Sequence, residues 1–271
     1  MKKSLFCAVS FILSLMVAQS SELKMADYAP VNDEAQLRTK VLHFLADGVP
    51  MESFIALPVS ATADTPAILI CYNWMGPSAY FEHRAKALAS LGYVAMVADP
   101  YGTSVRPQNT DEAGGASGAM YKDAVGFRAR MQRALDVLLE QPEVDSARVG
   151  AIGYCFGGTA VLELARDGAP LQAVVSFHGG LKTQQLAEVA PRASLLVLHG
   201  DRDPFVPAAE VAGFLEEMRS VEADFQFVRF SGAVHSFSNP NTAFPGKAEY
   251  HPASAVRSWQ MATSFLNSIL Q

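Results

Sequence analysis

The sequence predicts an α/β fold, in which a mostly parallel sheet is covered by helices on both faces. Short apolar runs recur along the chain and alternate with stretches of helical spacing. These runs contain few polar residues, which is typical of strands that are buried on both faces. The chain has 271 residues, half of them hydrophobic, so it is long enough to bury the core of one large domain.

The elements can be assigned in chain order. A hairpin comes first, because two apolar runs between residues 41 and 58 flank the turn signal Asp47-Gly48. The later apolar runs predict strands over 67–73, 94–100, 148–155, 173–179, 194–200 and 225–231. Helical spacing predicts helices over 80–92, 121–140, 157–166, 208–219 and 254–269. Two stretches, 102–119 and 181–192, remain as short candidate lids.

Residues 1–20 differ in composition from the rest of the chain. Two lysines precede an apolar run over residues 5–18, and a polar stretch follows. This order indicates a secretory signal peptide that is cleaved before Ser21. A permanent membrane anchor is the alternative, but the run is shorter than the roughly 20 residues that span a bilayer. We therefore expect residues 21–271 to be exported, to the periplasm or beyond, without a stable membrane anchor.

Composition argues against several classes of partner. The formal net charge is −6 and no basic stripe is present, so nucleic acid is not an expected partner. His, Cys and carboxylate residues do not cluster at metal-ligand spacing, and we expect neither a metal nor another cofactor. After loss of Cys7 with the signal, Cys71 and Cys155 remain. They are either free thiols or, in an oxidising compartment, a single pair.

A chemically informative motif lies at Gly153-Tyr154-Cys155-Phe156-Gly157, between a predicted strand and a predicted helix. Its G-x-C-x-G spacing matches G-x-S-x-G, in which the nucleophile occupies a strained strand-to-helix turn. The next backbone N–H and the helix N-terminus would stabilise both an oxyanion and a thiolate. The motif therefore predicts that Cys155 is a nucleophile. A small buried cysteine between glycines is the alternative.

An acid and a histidine follow the cysteine in chain order. Asp201 and Asp203 come after the strand 194–200, and His235 comes after the last strand. The carboxyl ends of parallel strands share one edge of a sheet, where sites form. The order nucleophile, acid, histidine is that of the α/β hydrolases. On order alone, either aspartate fits the acid.

Four segments together resemble the dienelactone hydrolase (carboxymethylenebutenolidase) family of the α/β hydrolases. They are "WMGPSAYFEHRAKALASLGYVAMVADPYG", "GYCFGG", "HGDRDPFVP" and "GAVHSF". The resemblance extends over about residues 50 to 270 and implies an α/β-hydrolase fold with no large cap domain. It implies Cys155 as nucleophile, His235 as base and Asp203 as acid.

The resemblance also implies an activity. A member would be a carboxylic-ester hydrolase that cleaves a small ester or lactone through an acyl-enzyme intermediate. Its oxyanion hole would consist of the backbone N–H groups of Trp74 and Phe156. A thiol-dependent acyltransferase or oxidoreductase is one alternative, and a non-catalytic binding protein on the same fold is another. The sequence contains no C-x-x-C motif that would favour the redox alternative.

The sequence departs from the family pattern at positions that the family uses for thiol activation and for substrate binding. Asn73 stands where the family commonly has a glutamate linked to thiol activation. The segment Ser238-Asn239-Pro240 stands where an arginine for the substrate carboxylate is expected, and Arg106 lies near the place of a second one. We take Tyr72, Asn73 and Arg106 as candidate pocket residues, with a place in the core as the alternative for Tyr72. We do not expect a carboxylated lactone as substrate.

Overall fold

A computed structural model describes Met25 and residues 28–271, so the predicted signal peptide lies outside the described residues. An eight-stranded sheet forms the centre of the molecule. Its strands are β1 (Leu37–Ala46), β2 (Val49–Pro58), β3 (Thr65–Cys71), β4 (Val94–Ala98), β5 (Val144–Tyr154), β6 (Ala173–Phe177), β7 (Ser194–Gly200) and β8 (Phe225–Phe230).

The sheet has the spatial order β1-β2-β4-β3-β5-β6-β7-β8. Strands β3 to β8 run parallel, whereas β2 pairs antiparallel with both β1 and β4. Every side chain of β3, β4 and β6 is buried. Because successive side chains point to opposite faces of a sheet, both faces are covered in its centre. The predicted fold class is thereby confirmed.

Helices connect the parallel strands and supply this cover. They are α1 (Ala79–Ala89), α2 (Thr110–Lys122), α3 (Ala124–Leu139), α4 (Phe156–Arg166), α5 (Ala208–Ser220) and α6 (Pro252–Leu270). A 3₁₀ turn (Glu34–Gln36) precedes β1, and a two-stranded ladder of β9 (Ala243–Phe244) and β10 (Ala248–Glu249) precedes α6. Over the described part of the chain, no helix is both long and apolar enough to cross a membrane.

The predicted hairpin is confirmed. Asp47 and Gly48 form a two-residue turn between β1 and β2, and both have positive φ, at 49° and 77°. Positive φ at both central residues defines the turn type whose twist suits a two-residue hairpin, and Asp-Gly is among its preferred sequences.

The first candidate lid, 102–119, is only partly a loop, because α2 occupies its second half. The Asn109 side chain accepts hydrogen bonds from the N–H groups of Asp111 and Glu112, which caps this helix. The helix predicted over 121–140 is in fact the end of α2 followed by α3, with Asp123 capping the latter. Three glycines inside α2 weaken its helical pattern in the sequence.

The second candidate lid, 181–192, is held against α3, α4 and α5 by buried ion pairs. Arg166 contacts Glu163 at 3.0 Å and Glu217 at 2.8 Å, and Arg128 contacts Glu163 at 2.7 Å. The same side chains bind backbone groups within the stretch, at Leu181, Gln185 and Ala187. Buried charges that are both paired and hydrogen-bonded fix the segment that they contact.

Candidate active site

Cys155 lies on a strained turn between β5 and α4, at φ 56° and ψ −115°. Positive φ is uncommon for residues other than glycine and persists only where the surroundings enforce it. Here the turn is packed against its neighbours without space for side chains. A Cβ on Gly153 would overlap the carbonyl oxygen of Gly157, and a Cβ on Gly157 would overlap that of Cys71. The sequence motif is therefore a nucleophile elbow in three dimensions.

Asp203, and not Asp201, contacts the histidine. Its Oδ2 lies 2.7 Å from Nδ1 of His235, and its Oδ1 accepts a hydrogen bond from the backbone N–H of Phe205 at 2.9 Å. Asp203 and His235 are both buried. Asp201 instead pairs with Arg229 at 2.8 Å on the surface. The geometry thus agrees with the assignment that the family resemblance implies.

The β9–β10 ladder holds His235 in place. The N–H of His235 donates to the carbonyl of Lys247 at 3.2 Å, and the N–H of Glu249 donates to the carbonyl of His235 at 3.0 Å. The ring of Phe205 packs edge-on against the imidazole, with 5.2 Å between centroids. Sequence analysis missed this ladder, since strands of two residues have no detectable periodicity.

The electrostatic environment of Cys155 favours a thiolate. Burial raises the pKa of the thiol, but the positive charge of His235 and a hydrogen bond from its imidazole lower it, as do the backbone N–H groups of Phe156 and Trp74. The net result is a Cys155 pKa below its usual value. Burial lowers the pKa of His235, but the charge of Cys155 and the contact with Asp203 raise it to about 10. Each group thus favours the charged form of the other, in the direction of a thiolate–imidazolium pair.

Two backbone N–H groups converge on the Cys155 sulfur, from Phe156 and Trp74. A turn at Asn73 orients the N–H of Trp74. The Asn73 side-chain oxygen accepts a hydrogen bond from the N–H of Met75, and the Asn73 backbone carbonyl accepts one from the N–H of Gly76, both at 3.0 Å. Such a side-chain-to-backbone bond is the usual role of asparagine in a turn. The Asn73 Oδ1 is therefore engaged with the loop.

Tyr101 holds the peptide that follows this N–H. Its hydroxyl donates to the carbonyl of Trp74 at 2.9 Å. The N–H and the carbonyl of Trp74 belong to successive peptides, so this bond fixes the backbone directly after the donor that faces Cys155. Phe156 and Trp74 are the residues whose N–H groups the family resemblance implies for an oxyanion hole.

The structure corrects two of the predicted pocket residues. Tyr72 is fully buried, and its hydroxyl donates to Asp99 at 2.5 Å, so it belongs to the core beneath the site. Arg106 pairs with the other oxygen of Asp99 at 2.7 Å and donates to the carbonyl of Gly102 at 2.6 Å. Its charge neutralises a buried carboxylate and is not left free for a substrate.

Two further residues lie near the site. His178 is buried, and its ring lies edge-on to that of His235 with 5.2 Å between centroids. Burial holds the pKa of His178 well below its ordinary value, so this imidazole is neutral. Tyr121 hydrogen-bonds the side chain of Thr159; burial, followed by the Cys155 charge, raises its pKa. In the part of the chain that the structure describes, Cys71 and Cys155 are not joined by a disulfide.

Comparison with known proteins agrees with the fold. The model of the dienelactone hydrolase family matches residues 51–270. The chain belongs to the dienelactone hydrolase family. Among the described residues, no group of three or more His, Cys, Asp or Glu side chains could hold a metal ion.

Several members of this family and their relatives are similar over much of the chain. An uncharacterised protein of Caenorhabditis elegans is 38% identical over 52% of this chain and 92% of its own. A carboxymethylenebutenolidase of Pseudomonas putida is 29% identical over 73% of this chain and 84% of its own. A solved dienelactone hydrolase-like promiscuous phosphotriesterase from metagenomic libraries is 31% identical, with a TM-score of 0.83 over 87% of this chain and all of its own.

Alkylation of Cys155 by iodoacetamide, measured against pH without substrate, tests the resting thiolate. Because only the thiolate reacts, the wild-type rate should reach its inflection well below the free-thiol pKa of about 8.5. His235→Ala removes the positive charge and leaves burial opposed only by the N–H groups of Phe156 and Trp74, so the inflection should move upward. The charge assignment would be wrong if the two proteins gave the same inflection, or if substrate analogues were needed to accelerate labelling of the wild type.

Proposed function

We propose that this dienelactone hydrolase family member hydrolyses small uncharged esters or lactones through a covalent acyl-cysteine intermediate. One observation carries the proposal. The sulfur of Cys155 is hydrogen-bonded by the His235 imidazole and by the N–H groups of Phe156 and Trp74, while Asp203 contacts Nδ1 of the same imidazole. A thiolate with a proton donor beside it and two converging N–H groups has what acyl transfer requires.

In the first half-reaction the thiolate attacks the carbonyl carbon of the ester. The carbonyl oxygen becomes an oxyanion, and the N–H groups of Phe156 and Trp74 stabilise it. Collapse of the tetrahedral intermediate breaks the bond to the leaving oxygen, which takes a proton from the His235 imidazolium. The enzyme is then a thioester at Cys155, and His235 is neutral. A lactone follows the same course, with its hydroxyl still attached to the acyl group.

In the second half-reaction neutral His235 takes a proton from water, and the resulting hydroxide attacks the thioester. The carbon–sulfur bond breaks, the carboxylic acid leaves, and the thiolate and imidazolium are restored. Asp203 keeps Nδ1 of His235 as the hydrogen-bond donor, so that Nε2 is the atom that exchanges protons with the substrate.

Two features favour an uncharged substrate. The Arg106 guanidinium is committed to Asp99, and the segment Ser238-Asn239-Pro240 after His235 contains no arginine. A substrate carboxylate in this site would therefore lose hydration without a compensating positive charge. The similarity to a phosphotriesterase is consistent with this preference, because phosphotriesters are neutral. The name of the Pseudomonas relative, in contrast, denotes a lactone with a carboxymethyl-derived group.

Substitution of the three catalytic candidates tests the mechanism on a panel of small aryl esters. Cys155→Ala should abolish turnover with the fold intact, and Asp203→Asn should lower kcat on the order of 10⁴-fold, as for a triad acid. Asp201→Asn is the matched control and should have little effect, because exposed ion pairs contribute little. Equal losses at the two aspartates would contradict the assignment of the acid. Full activity in Cys155→Ala would contradict the nucleophile, and product formation only with an added alcohol would indicate an acyltransferase.

The substrate preference is testable with a lactone that carries a carboxylate and with its methyl ester. The wild type should have the higher kcat/KM for the neutral compound, because no free cation receives the carboxylate. Asn239→Arg should shift the ratio toward the carboxylated lactone. A tenfold or greater preference of the wild type for the carboxylated compound would overturn the inference from the missing arginine.

We also propose that the chain is exported and acts after removal of its first 20 residues, on the basis of the two lysines and the apolar run that follows them. Mass spectrometry of the protein from the envelope fraction or medium of the native host should give a mature N-terminus near Ser21. An intact Met1 on protein from the cytosol would contradict export.

A further inference from the structure

Arg84 is a fully buried cation, and no carboxylate pairs with it among the described residues. Its guanidinium carbon lies over four aromatic rings, at 4.5 to 5.5 Å from their centroids: Tyr28, Tyr80, Tyr154 and Trp259. We call these four residues the aromatic cage. Attraction to ring faces in a dry environment offsets part of the cost of burying the charge. A cation kept at this cost in the core calls for an explanation.

The hydrogen bonds of Arg84 connect it to the backbone carbonyl of Ser238. Its Nη2 donates to the hydroxyl oxygens of Tyr28, at 2.7 Å, and Tyr80, at 2.8 Å. Both hydroxyls then donate to the carbonyl oxygen of Ser238, at 2.7 and 3.0 Å. Burial raises the pKa of Tyr28, so its hydroxyl stays protonated and remains a donor. Hydrogen bonds that share a cation in this way polarise and strengthen one another.

The Ser238 peptide belongs to the segment that positions the catalytic histidine. Ser238 follows His235 by three residues, and one of the two residues between them, Ser236, has a positive φ of 55°. The Ser238 hydroxyl lies 2.9 Å from Nε2 of His178, whose ring packs edge-on against His235. The carbonyl and the side chain of Ser238 therefore connect the aromatic cage to the imidazole by two routes.

One wall of the cage comes from outside the region that the family model matches. The match begins at residue 51, whereas Tyr28 lies in the segment before β1. That segment is anchored: Met25, Tyr28 and Ala29 are buried, and the carbonyl of Ala29 lies 2.9 Å from Nε2 of His83. The N-terminal segment thus brings a hydroxyl to the back of the active site.

We propose that Tyr28 is a positioning residue for the reaction. Through its hydroxyl, and with Arg84 and Tyr80, it fixes the Ser238 carbonyl and so sets the distance and orientation of His235 relative to Cys155. The N-terminal segment before the family domain then contributes to the active site through the Ser238 carbonyl. This inference rests on the proposed function for its kinetic consequence, but the effect on Cys155 is independent of turnover.

Tyr28→Phe tests the proposal, because it keeps the ring over Arg84 and removes only the hydroxyl. Loss of one donor to Ser238 should let His235 move away from the sulfur. We expect the inflection of Cys155 alkylation to rise by about 0.5 pH unit and kcat for an aryl ester to fall about fivefold, with KM within a factor of two. Tyr80→Phe removes the second donor and should act in the same direction.

Tyr93→Phe is the matched control. Tyr93 is also a buried tyrosine, but it directly precedes β4 and so lies at the opposite edge of the sheet from Cys155. Its substitution should leave both the inflection and kcat unchanged. The proposal is overturned if Tyr28→Phe lowers the Tm without moving the inflection, or if Tyr93→Phe moves it equally. If the wild type hydrolyses no ester, the proposed function fails, and the alkylation inflections alone decide whether Tyr28 positions His235.

Discussion

A buried thiol loses its proton only where positive charge and N–H donors outweigh the burial that disfavours the thiolate. In this protein that condition is met at Cys155, where the His235 imidazole and two backbone N–H groups meet the sulfur. The other features of the site serve this contact. The elbow places the sulfur above the sheet, Asp203 raises the pKa of the imidazole, and the Asn73 turn directs the N–H of Trp74.

The fold makes this contact possible because it brings the ends of four parallel strands to one edge. β3 leads to the Trp74 loop, β5 to Cys155, β7 to Asp203 and β8 to His235. The elbow needs close packing of β3, β5 and α4, and the glycines beside Cys155 permit it. Strain at the turn is held by the rigid sheet beneath, so the sulfur is oriented before any substrate arrives.

Much of this arrangement was predictable from the sequence. Buried strands in a parallel sheet are near-continuous apolar runs, and each of β3 to β8 was found in this way. The elbow has the G-x-C-x-G spacing that its geometry requires. The acid after β7 and the histidine after β8 follow Cys155 in the order of the α/β hydrolases. The choice between Asp203 and Asp201 was different. Order alone left it open, the resemblance to the family favoured Asp203, and the contact with His235 agrees with that choice.

Other features had no local signal in the sequence. Helix α2 is rich in glycine, which weakens a helical pattern, and it forms because Asn109 caps it and tertiary packing supports it. The sequence could not assign Tyr72 to either the pocket or the core, because its place depends on the hydrogen bond between its hydroxyl and Asp99. The aromatic cage of Arg84 unites residues that are more than 200 positions apart in the chain, and only the fold brings them together.

The departure at Asn73 is consistent with the electrostatics of the site. An amide cannot exchange a proton with the sulfur, and here it stabilises the turn that carries an N–H donor. Under the proposed mechanism, activation of the thiol depends on His235 and Asp203 and requires no group that responds to substrate. A thiolate of this kind is also susceptible to oxidation.

The central claim is that Cys155 carries the acyl group during turnover. Rapid mixing with an activated aryl ester, acid quench within milliseconds and intact-protein mass spectrometry would measure this directly. The account predicts a mass increase equal to the acyl group, located on Cys155 by peptide mapping, that forms in step with a burst of the released phenol and is lost on hydrolysis. Turnover with no acyl adduct at any quench time, or with the adduct on another residue, would contradict it.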